Sequence, residues 1–346
     1  MMNDALETLI SGAHLDAAQA EAAMEQILEG KATDAQIAGL LVALRMNGET
    51  VEELVGFARA MRRHARPLFP PGHKPAPGVI VDTCGTGGDG AGTFNISTAA
   101  AFVVAGAGFR VAKHGNRSIS SRCGSADVLA ELGVDPEHEL ELAGRAIEEI
   151  GIGFLFAPAV HPAMKHAMRA RRELRLRTAF NLLGPLTNPA GASVQVAGVF
   201  SAEYAERLAL ALGELGVERA FVVHGRDGLD EISISGPTFV AELIEGKVRT
   251  REITPEDFGI TPAPLSALAG GDAGENAGII RRVLGGERGP QRDAVLVNAG
   301  AALVAAGRGI DFREGFAEAA KSIDSGAALS KLGSLARFVS KKTPSS

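Results

Sequence analysis

The sequence predicts an α/β protein, with a mainly parallel central sheet flanked by helices and a smaller all-helical domain attached to it. Two changes of texture along the chain carry this expectation. Over about the first 65 residues apolar positions recur at helical spacing, as in Ile37, Leu40, Leu41 and Leu44. From Gly78 onward short β-rich runs alternate with Ala-rich helical segments, the pattern of crossover units that join parallel strands. Between the two lies a Pro-rich stretch that no helix can cross.

Taken in order, the N-terminal helices announce their own starts. Thr33 with Gln36, and Thr50 with Glu53, have the spacing of capping boxes, in which a hydroxyl and a carboxyl or amide side chain satisfy free amides at a helix start. Helices are therefore expected to begin near residues 34 and 51. Pro67 to Pro77 reads as a linker. The division expected is a helical domain over 1–66, completed by later helices, a linker over 67–77, an α/β domain over 78–340 and a flexible polar tail over 341–346. Within the α/β part the runs GVIVDT, FRVAKH, VQVAGVF and RAFVVHG read as strands, and an Ala/Val-rich helix follows from about residue 97. Ala273 to Ala306 reads as helical at both ends, and its Gly-rich break from Gly285 to Pro290 reads as a loop returning to the helical domain.

Composition narrows the function. The 346 residues, 46% of them hydrophobic, suffice for one large domain and a companion. Against 35 Lys and Arg stand 41 Asp and Glu, a formal charge of −6, which argues against a sequence-independent hold on nucleic acid. An anionic ligand must then be met by a local positive site. No apolar run approaches the roughly 20 residues that span a bilayer, and MMNDALETLI carries neither a basic region nor a cleavage signal, so a cytoplasmic protein without membrane contact is expected. Cys84 and Cys123 lie far apart in no CxxC pattern, which disfavours zinc and disulfides.

Two runs carry the chemistry. Directly after GVIVDT comes Gly85-Thr86-Gly87-Gly88-Asp89-Gly90, and a helix opens at Asn95-Ile96-Ser97-Thr98. Strand, bare backbone and helix start together make a phosphate cradle, because glycines admit close approach and the helix start offers unpaired amides. The string also fits G-x-G-x-x-G, but a dinucleotide site wants an acidic residue about 20 positions on, where this chain supplies Lys113, His114 and Arg117. The second run, residues 113 to 125, reads KHGNRSISSRCGS: an ammonium, guanidinium groups, an amide and several hydroxyls at the end of a predicted strand. That donor density suits a phosphate or diphosphate.

GTGGDG, NIST, KHGNRSISSRCGSADVL, HPAMKHAMRARRELRLRTAFNLLGPLTNPA and HGRDGLDEIS, in this order over about residues 80 to 235, together resemble the anthranilate phosphoribosyltransferases of tryptophan biosynthesis. The resemblance implies the nucleoside phosphorylase/phosphoribosyltransferase-like fold and transfer of ribose 5-phosphate from 5-phosphoribosyl 1-diphosphate (PRPP) to the amine of anthranilate. It also implies two magnesium ions per subunit and a homodimer built through the helical domain. By the same resemblance the donor is held by Gly85, Gly88, Asp89, Thr93, Asn95, Ile96, Ser97 and Thr98, and by Lys113, His114, Gly115, Asn116, Arg117, Ser118, Ile119, Ser120, Ser121 and Ser125. Acceptor residues carry over as Gly85, His114, Asn116 and Arg171, and metal ligands as Ser97, Asp230 and Glu231.

The residues themselves add to this. Asp230 and Glu231 follow the strand RAFVVHG in a turn marked by Gly225, Asp227 and Gly228, and are expected in a surface loop, where adjacent carboxylates read alone are more often solvated than functional; with the resemblance they suit magnesium, which takes one or two carboxylates with substrate phosphates and water. Arg171 lies in the basic stretch from Arg169 to Arg177, which read alone resembles a nucleic-acid patch, but its guanidinium can also pair at two points with a carboxylate. His161 and His166, five apart rather than one helical turn, are read as structural. A pyrimidine nucleoside phosphorylase is the nearest rival, and a silent relative that binds nucleic acid is a second; KHGNRSISS with the Asp230-Glu231 pair favours the transferase, and overall acidity opposes nucleic acid.

Overall fold

The computed structural model describes residues 2–70, 72–73, 76–118 and 122–340. Part of the expected linker (71, 74 and 75), the tail at 341–346 and the donor candidates Ile119, Ser120 and Ser121 lie outside the described residues.

Four helices open the chain: α1 (Met2–Ile10), α2 (Ala17–Leu28), α3 (Asp34–Asn47) and α4 (Val51–Arg63). α3 and α4 start where the capping boxes place them, with Thr33 accepting from the amide of Gln36 and Thr50 from that of Glu53; Asp16 and Gln19 do the same for α2. α2 and α4 pack closely because Gly56 has no side chain: a Cβ there would lie 2.3 Å from the carbonyl oxygen of Ala17.

The α/β part runs β1 (Ile80–Gly85), α5 (Ile96–Gly106), β2 (Arg110–Gly115), α6 (Ser125–Glu131), α7 (Leu140–Glu149), β3 (Ile152–Phe156) and α8 (Ala157–Val160). It continues through α9 (Met168–Leu174), α10 (Leu183–Leu186), β4 (Val194–Gly198), α11 (Ala202–Glu214), β5 (Arg219–Gly225), β6 (Thr238–Ile244) and β7 (Lys247–Ile253). α12 (Ala273–Leu284), α13 (Pro290–Ala305), α14 (Phe312–Asp324) and α15 (Ala327–Val339) close it.

Seven strands form one sheet in the order β3-β2-β1-β4-β5-β6-β7, parallel from β3 to β5 and antiparallel at β6 and β7. The β6–β7 hairpin, absent from the sequence reading, turns at Glu245 and Gly246, both at positive φ (49° and 74°), as a two-residue turn matched to strand twist requires.

One face of the sheet is covered by α5, α13, α14 and α15. The other receives α11 and, through it, the helical bundle, whose apolar cluster runs on into Phe180, Leu182, Leu183, Tyr204 and Leu208. α9 lies against α3, and α10 against α4. The expected return of the chain to the bundle at 285–290 does not occur: α12 and α13 are buried in the sheet's own core, α13 against α5 and α14, because α13 is apolar on nearly every side. What does reach the bundle is the segment from Pro162 to Leu186.

Strand order reverses around β1, which pairs with β2 on one side and β4 on the other. Such a switch point leaves a crevice outside the carboxyl ends of the strands, where Gly85 and Gly198 lie opposite each other.

Candidate functional site

The Gly85 to Asn95 loop emerges from β1 into that crevice. Gly87, Gly88, Gly90 and Gly92 all have φ between 67° and 78°, a region that side chains rarely adopt, so the loop's shape depends on glycine. It folds over the segment after β5. The amide of Gly87 donates to Asp230 Oδ2 at 2.7 Å, and the amide of Asp230 to Asp89 Oδ2 at 3.4 Å. Neither Gly85 nor Gly198 can carry a side chain: a Cβ at Gly85 would lie 2.8 Å from Asp230 Oδ2, and one at Gly198 1.6 Å from the Asp230 carbonyl oxygen. Near the end of the loop Thr93 bridges to Ala269. Asn95, at the start of α5, gives its side chain to the Cys123 carbonyl and accepts from Asn276, so it does not cap the helix itself. The amide of Ser97 is met by Glu231 Oε1 at 3.1 Å. Ile96 and Thr98 turn into the core, so only their backbone could meet a ligand.

Asp230 and Glu231 are 9% and 8% exposed, which corrects the expected surface loop: the loop from β1 and the start of α5 cover them. Burial first, then the like charges of Asp89 and Glu231, raises Asp230 well above the carboxylate range. Burial pushes Glu231 up to about 7, against the pull of Lys113 and the hydrogen bonds from Ser97. Lys113, 4% exposed, donates to the Thr83 carbonyl at 2.6 Å and to Ser97 Oγ at 3.4 Å; burial lowers its pKa while Asp82 and Glu231 hold it up. Three carboxylates crowd here against their own repulsion, a hydroxyl stands beside them, and every candidate ligand is oxygen. This set fits a hard divalent cation such as magnesium, which needs only one or two protein carboxylates when phosphates and water complete its shell.

The basic run lines the end of β2. A Cβ on Gly115 would collide with Ser125 Oγ at 2.2 Å, and Ser125 Oγ in turn accepts from the amide of Asn116 at 3.1 Å and donates to its carbonyl. The amide of Ser118 donates to Asp127. Arg117 is turned onto Asp127 and Glu137, so its charge is already answered by carboxylates. His114 is 8% exposed; its Nδ1 lies 3.2 Å from the Gly184 carbonyl oxygen, which can only accept, so Nδ1 carries the proton and Nε2 is left as an acceptor. Burial depresses its pKa, keeping the ring neutral, and Nε2 has no hydrogen-bond partner among the described residues.

Arg171 differs from its neighbours. Arg169 is exposed and paired with Glu173 and Asp34, whereas Arg171 is half-buried over the Phe180 ring at 5.0 Å, and burial lowers its pKa with no carboxylate to oppose it. Among the described residues it forms no hydrogen bond or ion pair with Gly85, His114 or Asn116, so the chain itself does not join the two halves of the acceptor set.

Asp82, Asn188 and Gln195 are not among the residues that the sequence singles out, and His161 is expected there only as a structural histidine. Asp82, fully buried in β1, accepts from Asn188 Nδ2 at 2.8 Å, Gln195 Nε2 at 3.4 Å and the amide of His114 at 3.4 Å. A carboxylate inside a buried parallel strand was the available signal. The His161 ring stands edge-on to His114 at 5.3 Å between centroids. No spacing in the sequence links those two.

The helical bundle domain of a glycosyl transferase family matches residues 3–65, and that family's α/β domain matches residues 77–329. The chain is 57% identical over 337 residues to an anthranilate phosphoribosyltransferase of Solibacter usitatus, covering 97% of this chain and 98% of that one. It is 55% identical to another from Pelotomaculum thermopropionicum, covering 98% and 96%. Among solved structures, the anthranilate phosphoribosyltransferase of Thermus thermophilus superposes with a TM-score of 0.90 at 48% identity, covering 97% of this chain and 99% of that one. The enzyme of that name from Saccharomyces cerevisiae, solved in complex with PRPP and Mg, superposes at 0.89 with 30% identity, covering 99% and 98%.

Proposed function

The chain belongs to the anthranilate phosphoribosyltransferase family of tryptophan biosynthesis, and we propose that it joins the ribose 5-phosphate of PRPP to the amine of anthranilate, releasing diphosphate, with the residue roles that follow. The observation that carries this reading is the cluster of Asp89 with the buried Asp230 and Glu231, tied to the first turn of α5 beneath a glycine loop. A multiply charged donor and its cations need that combination of bare amides and carboxylates.

The amides of the Gly85 to Gly90 loop and of the start of α5 bind phosphate oxygens, as do the Lys113 to Ser121 run and Ser125. Asp230, Glu231 and Ser97 would hold two magnesium ions. Bound there, magnesium neutralises charge on the departing diphosphate. Arg171, half-buried without a counter-ion, pairs with the anthranilate carboxylate. Gly85 and Asn116 line the acceptor side. His114, neutral and protonated on Nδ1, offers Nε2 to an N–H of the acceptor amine and so turns the amine's lone pair toward the sugar. The aromatic amine is uncharged at neutral pH, so no strong base is needed: the bond from C1 of the ribose to diphosphate breaks, the C1–N bond forms on the opposite face, and the surplus amine proton leaves to solvent. Catalysis rests on positioning and charge stabilisation rather than on a covalent enzyme intermediate.

Residues 1–66 with the later segment from 162 to 186 form the helical domain in this reading, and two copies pair through it. Ile10 and Met46, 76% and 81% exposed at the ends of α1 and α3, support that pairing. Titration calorimetry tests the donor site: PRPP should bind with magnesium present and weaken at least about tenfold without it. Binding that ignores magnesium would refute the assignment. Light scattering tests the dimer, which a monomer at micromolar concentration would exclude.

A further inference from the structure

All four carbonyls of the short helix α10 are taken, each by a different side chain. The Leu183 oxygen accepts from Thr187 Oγ1 at 2.9 Å, that of Gly184 from His114 Nδ1 at 3.2 Å, that of Pro185 from Gln195 Nε2 at 3.0 Å and that of Leu186 from Arg62 Nε at 2.8 Å. Three of these donors belong to the α/β part. Arg62 belongs to the last turn of α4, in the N-terminal bundle.

The same guanidinium reaches a second helix end: Arg62 Nη1 donates to the Leu215 carbonyl at 2.8 Å, just past α11. Carbonyls at helix C-termini lack intrahelical partners and carry the negative end of the helix dipole, so a cation between two of them is well placed. Among the described residues Arg62 has no carboxylate partner, unlike Arg63 beside it, which pairs with Glu21 and Glu25. Its charge is therefore committed to α10 and α11.

We propose that Arg62 is a positioning residue for the acceptor: it fixes α10 from the helical bundle, and α10 fixes the His114 ring. Two hydrogen bonds separate the guanidinium from the imidazole, through Leu186 and Gly184 of one helical turn. The fork geometry matters because Nε and Nη1 serve different helices at once, and a lysine ammonium cannot reproduce that planar reach. The inference rests on the proposed role of His114 at the acceptor amine. Its structural half, the link from Arg62 to His114, does not.

The test uses the full-length protein carrying Arg62→Met or Arg62→Lys. A cavity of about 460 Å³ adjoins Arg62, lined also by Arg59, Arg63, Glu21 and Glu214, so water can fill the space left by either shorter side chain. Steady-state kinetics should show the KM for anthranilate raised about tenfold in Arg62→Met and less in Arg62→Lys, as loss of one well-placed hydrogen bond predicts, with the KM for PRPP within about twofold of wild type. Nitrogen-15 spectra of histidine-labelled protein should show His114 as a single Nδ1-protonated tautomer in the wild type and a mixture of tautomers in Arg62→Met. A lowered melting temperature with both KM values and the His114 signal unchanged would reduce Arg62 to a structural tie and overturn the proposal. Should the wild type fail to consume anthranilate, the functional reading falls, yet the His114 spectrum still decides the link. If Arg62→Met does not fold, the Arg62→Lys spectrum decides it in the same way.

Discussion

Glu231 accepts the backbone amide of Ser97 at 3.1 Å, which ties the segment after β5 to the first turn of the helix that follows the glycine loop. The carboxylate therefore holds the helix start, and in the proposed function it also supplies charge for a cation. Glu231→Gln separates them, because the amide oxygen still accepts from Ser97 while the negative charge is gone. Turnover should fall about a hundredfold or more, since diphosphate charge is then poorly neutralised. Thermal stability should hold or rise as like-charge repulsion with Asp230 disappears. Near-normal activity at saturating magnesium would remove Glu231 from the mechanism.

Arg171→Ala should raise the KM for anthranilate by about thirty- to a hundredfold, the loss of a charge-assisted two-point contact. Binding of PRPP should be nearly unchanged, and Arg171→Lys should recover only part of the loss. Calorimetric titration of each substrate distinguishes this from a donor-specific defect, which would put the acceptor elsewhere in the crevice.

Gly198→Ala should destabilise the protein by about 1–3 kcal/mol, the range for overpacking a tight site, because a Cβ at that position would lie 1.6 Å from the Asp230 carbonyl oxygen. Moving Asp230 aside should also raise the magnesium concentration needed for half-maximal rate. Wild-type melting temperature and magnesium dependence together would show that the β4 end does not constrain the carboxylates.

Acid should weaken the fold through His161. Burial, followed by the neighbouring His114, lowers its pKa from 6.5 to about 3. The folded protein thus keeps the ring neutral over a range in which the unfolded chain binds a proton, so this histidine costs stability as pH falls from 6.5 toward 3. The loss approaches about 1.4 kcal/mol per pH unit inside that window. Denaturant melts of wild type and His161→Gln from pH 7 to pH 4 should show the wild type losing more. Parallel pH profiles would mean that His161 is protonated in the fold.

Local patterns in the sequence specified much of this architecture. Thr33 and Thr50 marked helix starts to the residue, because a cap is a contact within four residues of chain. The glycine loop was legible for the same reason: its φ angles are a property of its own residues. What escaped depends on distant partners. The edge hairpin of β6 and β7 has a mixed burial pattern that weakens its alternation. Asp230 and Glu231 look like a solvated turn until the Gly85 loop, some 140 positions earlier, closes over them, and the distances that bury them are long-range contacts. Asp82 and His161 matter through Asn188, Gln195 and His114, none of them a near neighbour in sequence.

In the proposed function one crevice receives both a magnesium-dependent phosphoribosyl donor and anthranilate. Anthranilate fluorescence followed in the presence of purified protein, PRPP and magnesium tests it directly. The signal should decay at a rate proportional to protein concentration, stop when either PRPP or magnesium is withheld, and release one diphosphate per anthranilate consumed. Decay that proceeds without PRPP, or fluorescence that stays constant with every component present, would rule out phosphoribosyl transfer to anthranilate in this crevice.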